Sequence, residues 1–263
     1  MKPIHHAMVS ARLFGGTPED YVALHNAFDM SKAALPDMRH RAALHSVDHG
    51  ASVMRLIFPD RIGEASLSEL CVQHVNDDQG FDVRLDTWLS ECETPTFARI
   101  RRKPPEGLEG FLTEPEVAAA ARWGGKPEDF AAICDYYRLS EKASDHPLAP
   151  AVSRNAFSIF FSEMAFGPMI TVDTSRGSAK YVPVRDIGEC LTLAAFGFIP
   201  TLGDVFKTMS RKDWMTGARV ARSRKKRCSI AGRDDLFCEE MDGLDGCHSA
   251  SVTRTEVASV LSD

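Results

Sequence analysis

Three pairs of residues stand four apart in the first third of the chain: His25 with Asp29, His45 with His49, and His74 with Asp78. On a helix this spacing puts both side chains on one face, with Cβ atoms about 6 Å apart. Imidazole nitrogen and carboxylate oxygen suit zinc, iron or manganese, so facing helices that each present one pair could converge on one divalent ion. The candidate ligands are therefore His25, Asp29, His45, His49, His74 and Asp78. An ion held there would lower the pKa of its bound water toward neutrality, which is the chemistry of a metal-dependent hydrolase. Arg39 and Arg41 could hold an anionic substrate through their guanidinium forks, although pairing within the chain, with Asp37, is the simpler use of such a cation. Gly15-Gly16 lacks the GxGxxG pattern, and no nucleotide-cofactor motif or serine nucleophile elbow stands elsewhere. No catalytic residue is assigned.

The elements that must position these groups occur twice. Gly15-Gly16-Thr17-Pro18-Glu19-Asp20 returns as Gly124-Gly125-Lys126-Pro127-Glu128-Asp129, five identities in six positions at an offset of 109. The flanking register matches too: Phe14 with Trp123, Tyr21 with Phe130, Leu24 with Ile133, Phe28 with Tyr137. Proline followed by acids suits any helix start, but the apolar register on both sides does not come with it by chance. A second block aligns at an offset of 117, with Gly80, Leu85 and Leu89 on Gly197, Leu202 and Phe206 and with Phe97 on Trp214. The roughly eight extra residues fall in 170–184, which reads as a short β-hairpin or loop.

His5-His6, Phe14-Gly15-Gly16, Glu19-Asp20-Tyr21, His25, Phe28-Asp29, Ser31-Lys32, Arg39-His40-Arg41, His45, Gln73-His74-Val75 and Asp78 form a pattern in the first copy. Gly188-Glu189, Gly197, Ile199-Pro200-Thr201 and Trp214-Met215 supply its remaining parts in the second. The chain resembles an uncharacterised His-rich helical domain family of bacteria and their phages, here in two diverged copies that each keep what the other has lost. The resemblance implies no activity.

The expected fold is mainly α: two tandem small helical bundles related by internal duplication, with a charged extended C-terminal tail. The divisions are 1–92 for the first repeat, 93–113 for a linker with prolines and a basic cluster, 114–217 for the degenerate second repeat and 218–263 for the tail. In the first repeat, helices are expected near 4–14, 18–33, 36–58, 66–78 and 83–91, punctuated by Gly15-Gly16, Pro36, Pro59 and Gly80. The tail carries six positive charges within 219–227 and then an acidic patch, so a protein partner is expected for it, with nucleic acid as the alternative. A zinc site from Cys228, Cys238, Cys247 and His248 is a weaker reading, because their spacing is loose.

A net charge of −6 argues against a surface given over wholly to nucleic acid. No apolar run approaches a membrane span, and the first residues lack the apolar core of a secretory signal. Seven scattered cysteines with no CxxC pair point to reduced thiols in the cytoplasm or a cytosol-like compartment, with an organelle matrix or virion as the alternatives.

Comparing the copies sharpens the candidate site. His25, Asp29, His40, His45, His49, His74, Asp77 and Asp78 become Cys134, Arg138, Ala149, Arg154, Ser158, Leu191, Ala194 and Ala195, while the apolar frame persists. Joint loss is what one shared constellation predicts. A metal site would decay this way, and so would a buried hydrogen-bond network, since half-satisfied networks are costly. Two readings therefore stand: a metal-dependent helical enzyme acting through the first copy, and a non-catalytic component of a larger assembly with the second copy as scaffold and the tail as docking segment.

Overall fold

Gly15 leaves the first helix at φ 83 and ψ −175, and Gly124 leaves its counterpart at φ 88 and ψ −175. The glycines that follow, Gly16 and Gly125, also have positive φ, and a Cβ on either would lie 2.7 Å from the carboxylate of Asp20 or Asp129. That carboxylate accepts from the backbone N–H of Thr17 or Lys126 at 2.7 Å and so starts the next helix identically in both copies. The GGxPED repeat is thus one helix-to-helix corner used twice.

The computed structural model describes residues 2–99, 103–173 and 178–216. The first copy runs α1 (Pro3–Phe14), α2 (Pro18–Asp29), short 3-10 turns at Met30–Ala33 and Met38–His40, α3 (Arg41–Leu44), α4 (His49–Met54), the hairpin β1 (Arg61–Ile62) and β2 (Ala65–Ser66), α5 (Leu67–Gln79), α6 (Leu85–Leu89) and α7 (Thr96–Arg99). After α8 (Gly110–Thr113) the second copy follows in the same order. It has α9 (Pro115–Trp123), α10 (Pro127–Tyr136), α11 (Leu139–Ala143), α12 (Ala149–Ser153), α13 (Ala156–Phe166), β3 (Met169–Asp173), β4 (Ala179–Pro183), α14 (Val184–Phe196), α15 (Leu202–Val205) and a 3-10 turn at Asp213–Thr216. Both α7 and α8 fall inside the stretch expected as linker.

The inserted residues lengthen a hairpin that the first copy already has. β1 and β2 pair over two residues each, whereas β3 and β4 pair antiparallel from Met169↔Pro183 to Asp173↔Ala179. Beyond the insertion the register is regained, since Gly80 and Gly197 both end their helices in the left-handed region at φ 86 and φ 72.

The expected helix over 36–58 is broken. α3 ends at Leu44, His45 takes φ −83 and ψ 64, and α4 begins only at His49. Asp48 accepts from the N–H of His49 at 2.7 Å and of Leu85 at 3.0 Å, so it caps α4 and ties α6 to it. The chain reverses tightly here: a Cβ on Gly50 would sit 1.7 Å from the Leu44 carbonyl oxygen.

Tyr21, Leu24 and Phe28 on α2 are fully buried, as are Phe130 and Tyr137 in the second copy, with Ile133 nearly so. Full burial of such side chains contributes roughly 1.5–3 kcal/mol each. The buried residues of both copies form one hydrophobic core, and the described residues make one compact unit. No described helix is long and apolar enough to cross a membrane.

Candidate metal centre

Each functional group sits where its helix faces this core. α1 presents His6 and Ser10, one turn apart; α2 presents His25 and Asp29; α5 presents Gln73, His74, Asp77 and Asp78; and α3 supplies Arg41 at its start and His45 just past its end. Four of the residues singled out in the sequence, Asp29, His45, His74 and Asp78, each bring one nitrogen or oxygen within 4.8 Å of the others. His45 Nε2 lies 3.1 Å from His74 Nε2, 3.5 Å from Asp29 Oδ1 and 3.3 Å from Asp78 Oδ2. Ligand atoms about 2.05 Å from one ion stand about 2.9 Å apart at the edge of an octahedron and about 3.3 Å apart in a tetrahedron. The three separations from His45 Nε2 are close to those edges, and the remaining pairs lie within 4.8 Å, so binding an ion would draw the four groups slightly together.

A chain of hydrogen bonds fixes the protons behind His74. The Ser10 hydroxyl lies 2.6 Å from Gln73 Oε1 and 3.0 Å from the His6 carbonyl, and both of those can only accept. Its single proton goes to one of them, so at 2.8 Å it accepts from His25 Nε2–H. A neutral His25 then has a bare Nδ1, which must accept from His74 Nδ1–H at 2.9 Å. His74 is left with a lone pair on Nε2, the atom that faces His45 and the two carboxylates. Metal-bound histidines are held this way, with the far nitrogen donating to a neighbour. His45 Nδ1 is buried with no hydrogen-bond partner.

The carboxylates stay ionised in this buried place. Burial alone would push Asp78 up, but hydrogen bonds from His45 and His6 and the charge of Arg41 hold it far below the usual carboxylate range. Burial likewise opposes ionisation of Asp29, and hydrogen bonds from His40 and His45 overcome it. His25 is driven down to about 3 by burial, with the charge of His6 adding to it. His74 is also lowered, first by burial and then by its neighbouring imidazoles. Burial works against protonation of His6, but hydrogen bonds to Asp77 and Asp78 raise its pKa. The centre thus offers two anionic oxygens and, on His74, an imidazole that resists protonation, a donor set that attracts a cation.

The other sequence candidates lie elsewhere or do other work. His25 orients His74 through the Nδ1 contact just described. His49 is not in the cluster: the break at 45–48 separates it from His45, so the two do not share a helix face. It is buried beside Tyr136, Val152 and Ser158 of the second copy, its Nδ1 without a partner. Arg39 donates to Asp37 at 2.6 Å and to the Phe206 carbonyl at 3.2 Å. Arg41 lies 3.2 Å from Asp78 Oδ2 and donates to the Met215 carbonyl at 2.9 Å. Both arginines are engaged within the chain.

Three participants stand outside the candidate ligands, although His6 belongs to the family pattern and His40 to the groups lost together in the second copy. His6 stands 3.3 Å from both Asp77 and Asp78, Ser10 anchors His25, and His40 Nε2 approaches Asp29 Oδ1 at 3.6 Å. The pair His6 and Ser10 has the same four-residue spacing as the others and was legible by that rule. The Met215 carbonyl carries no sequence signal.

In the second copy the same place is filled differently. Arg138 pairs with Glu116 at 2.6 Å and Arg154 with Glu141 at 2.6 Å, while Cys134, Leu191 and Ala195 replace polar groups. Cys71, Cys92, Cys134 and Cys190 are free thiols.

Fold and site together define a duplicated helical domain with a buried His/Asp centre in one of its copies. The chain belongs to a family described as a domain of unknown function, DUF6915, whose model matches residues 1–98 and again 116–215. Comparison with curated proteins and with solved structures found no match. The basic stretch 219–227, the cysteines beyond it and the whole tail lie outside the described residues.

Proposed function

We propose that the first copy binds one divalent transition metal through Asp29, His45, His74 and Asp78, with zinc the first candidate and iron or manganese the alternatives. The observation that carries this reading is the meeting of four ligand atoms within 4.8 Å of one another, three of them 3.1–3.5 Å from His45 Nε2. The second copy strengthens it. There the same helices pack without the polar set, so the fold does not require it, and burying ionised groups where apolar ones would serve is costly.

His45, His74 and Asp78 are closed off from solvent, while the Asp29 side chain is 15% exposed. Water would reach an ion only along the Asp29 edge. Structural metal sites are closed and catalytic ones keep a position open, so a role for the ion in holding the first copy in one shape comes first. With both arginines engaged, no free cation of the sequence-predicted pair is left to bind an anionic substrate. That favours an assembly component, with the tail as docking segment, over a hydrolase. Hydrolysis is the second reading, favoured by the exposure of Asp29, where a metal-bound water would sit.

The test is metal content after purification and reloading. One equivalent of zinc per chain, lost in Asp29→Asn and in His74→Gln but kept in His49→Gln, supports the proposal. Absence of metal from the wild type, or retention by His74→Gln, refutes it.

A further inference from the structure

The two copies meet through equivalent residues. Cys92 and Met209 occupy the same position at the offset of 117, and they pair with each other in an antiparallel bridge. The Ser210 N–H donates to the Glu91 carbonyl at 2.8 Å, and the Thr208 hydroxyl donates to the Glu93 carbonyl. These contacts are mates, since Ser210 corresponds to Glu93 and Thr208 to Glu91. A small cavity between the copies is lined by three more equivalent pairs: Ala43 with Val152, Leu44 with Ser153, and His49 with Ser158. A contact in which each residue meets its own counterpart is the signature of a twofold interface.

Across this axis the ends of the copies are exchanged. Trp214 of the second copy lies on Trp88 and Phe81 of the first, ring centroids 4.8 and 5.7 Å apart. Next to it Met215 is fully buried, and its carbonyl holds Arg41, which holds Asp78. The counterpart of Met215 is Ala98. Ala98 lines a cavity of about 150 Å³ in the second copy together with Pro150, Arg154, Leu191 and Ala195. Those four stand where the first copy has Arg41, His45, His74 and Asp78. Each copy's terminal segment therefore covers the other copy's version of the site.

We propose that the chain is an internal dimer with exchanged C-terminal segments, and that the second copy closes the metal centre of the first through its segment 209–216. The duplication then has a use for a copy that has lost its own polar set. It is the tethered partner that seals the site and fixes Arg41 against Asp78. The inference rests on the metal reading only in naming what is sealed; the exchange stands on the contacts alone.

The test uses the full chain with a protease recognition sequence inserted after the exposed Lys103. After cutting, in the presence of chelator, the halves should elute as one particle of intact size and separate only in denaturant. In the uncut protein Trp214→Ala should raise amide exchange across 41–49 and 73–79 by about tenfold or more, leaving 130–137 unchanged. A second variant reads proximity rather than packing: Met209→Cys places a thiol opposite Cys92, and neighbours across an antiparallel pair lie within disulfide reach. On oxidation the cut halves of this variant should stay covalently joined. Halves that part without denaturant, or exchange unmoved by Trp214→Ala, would overturn the proposal. Because these readouts need no metal, they separate its failure from failure of the metal reading; with zinc added, Trp214→Ala should also release the ion faster.

Discussion

Gly50 packs directly on the carbonyl of Leu44, so closely that a Cβ at position 50 would lie 1.7 Å from the oxygen. The contact sets the reversal that frees His45 from α4 and turns it toward Asp29, His74 and Asp78. Gly50→Ala must therefore push α4 away from α3. We expect a loss of about 3 kcal/mol or more in urea unfolding, at the upper end for overpacked cores. Full stability in this variant would mean that the backbone at 44–50 runs otherwise.

That same contact marks what the sequence could and could not reveal. The duplication, the glycine corners and the hairpin insertion were readable because each rests on local chemistry repeated at a fixed offset. Asp29, His74 and Asp78 were readable because α2 and α5 are regular helices, where four-residue spacing means a shared face. His49 was misplaced because periodicity extends a helix through 45–48, where a tertiary contact and the Asp48 cap end it. The engagement of Arg41 by the Met215 carbonyl, 174 residues away, depends on packing between copies that no spacing rule encodes.

His49 gives a pH signature independent of any metal. Burial lowers its pKa to about 4, against 6.5 for the free group, with Asp48 opposing the shift only in part. The unfolded chain binds the proton more readily, so the stability from neutral His49 is present above pH 6.5 and is lost as pH falls toward 4. The full effect is about 3 kcal/mol. His49→Leu should flatten the stability profile over that window relative to wild type, as read by urea unfolding at several pH values. Parallel profiles would show that His49 is not held neutral by burial.

Asp78 should be the costliest ligand to remove from the metal-free protein. Asp78→Ala leaves Arg41 and His6 facing a buried void, and we expect a loss of about 3 kcal/mol in chelator. Adding Arg41→Met should recover part of that, so the double variant is more stable than the sum of the single losses allows. Strict additivity would mean that the 3.2 Å pair contributes nothing.

Whether Asp29, His45, His74 and Asp78 hold one ion is read from X-ray absorption of the zinc-loaded protein. The spectrum should show nitrogen and oxygen neighbours at ~2.0–2.2 Å, with imidazole scattering from two histidines and no sulfur. In His74→Gln the bound zinc and its imidazole signal should be lost. A spectrum showing sulfur ligands, or zinc surrounded by water alone, would contradict the four-residue site.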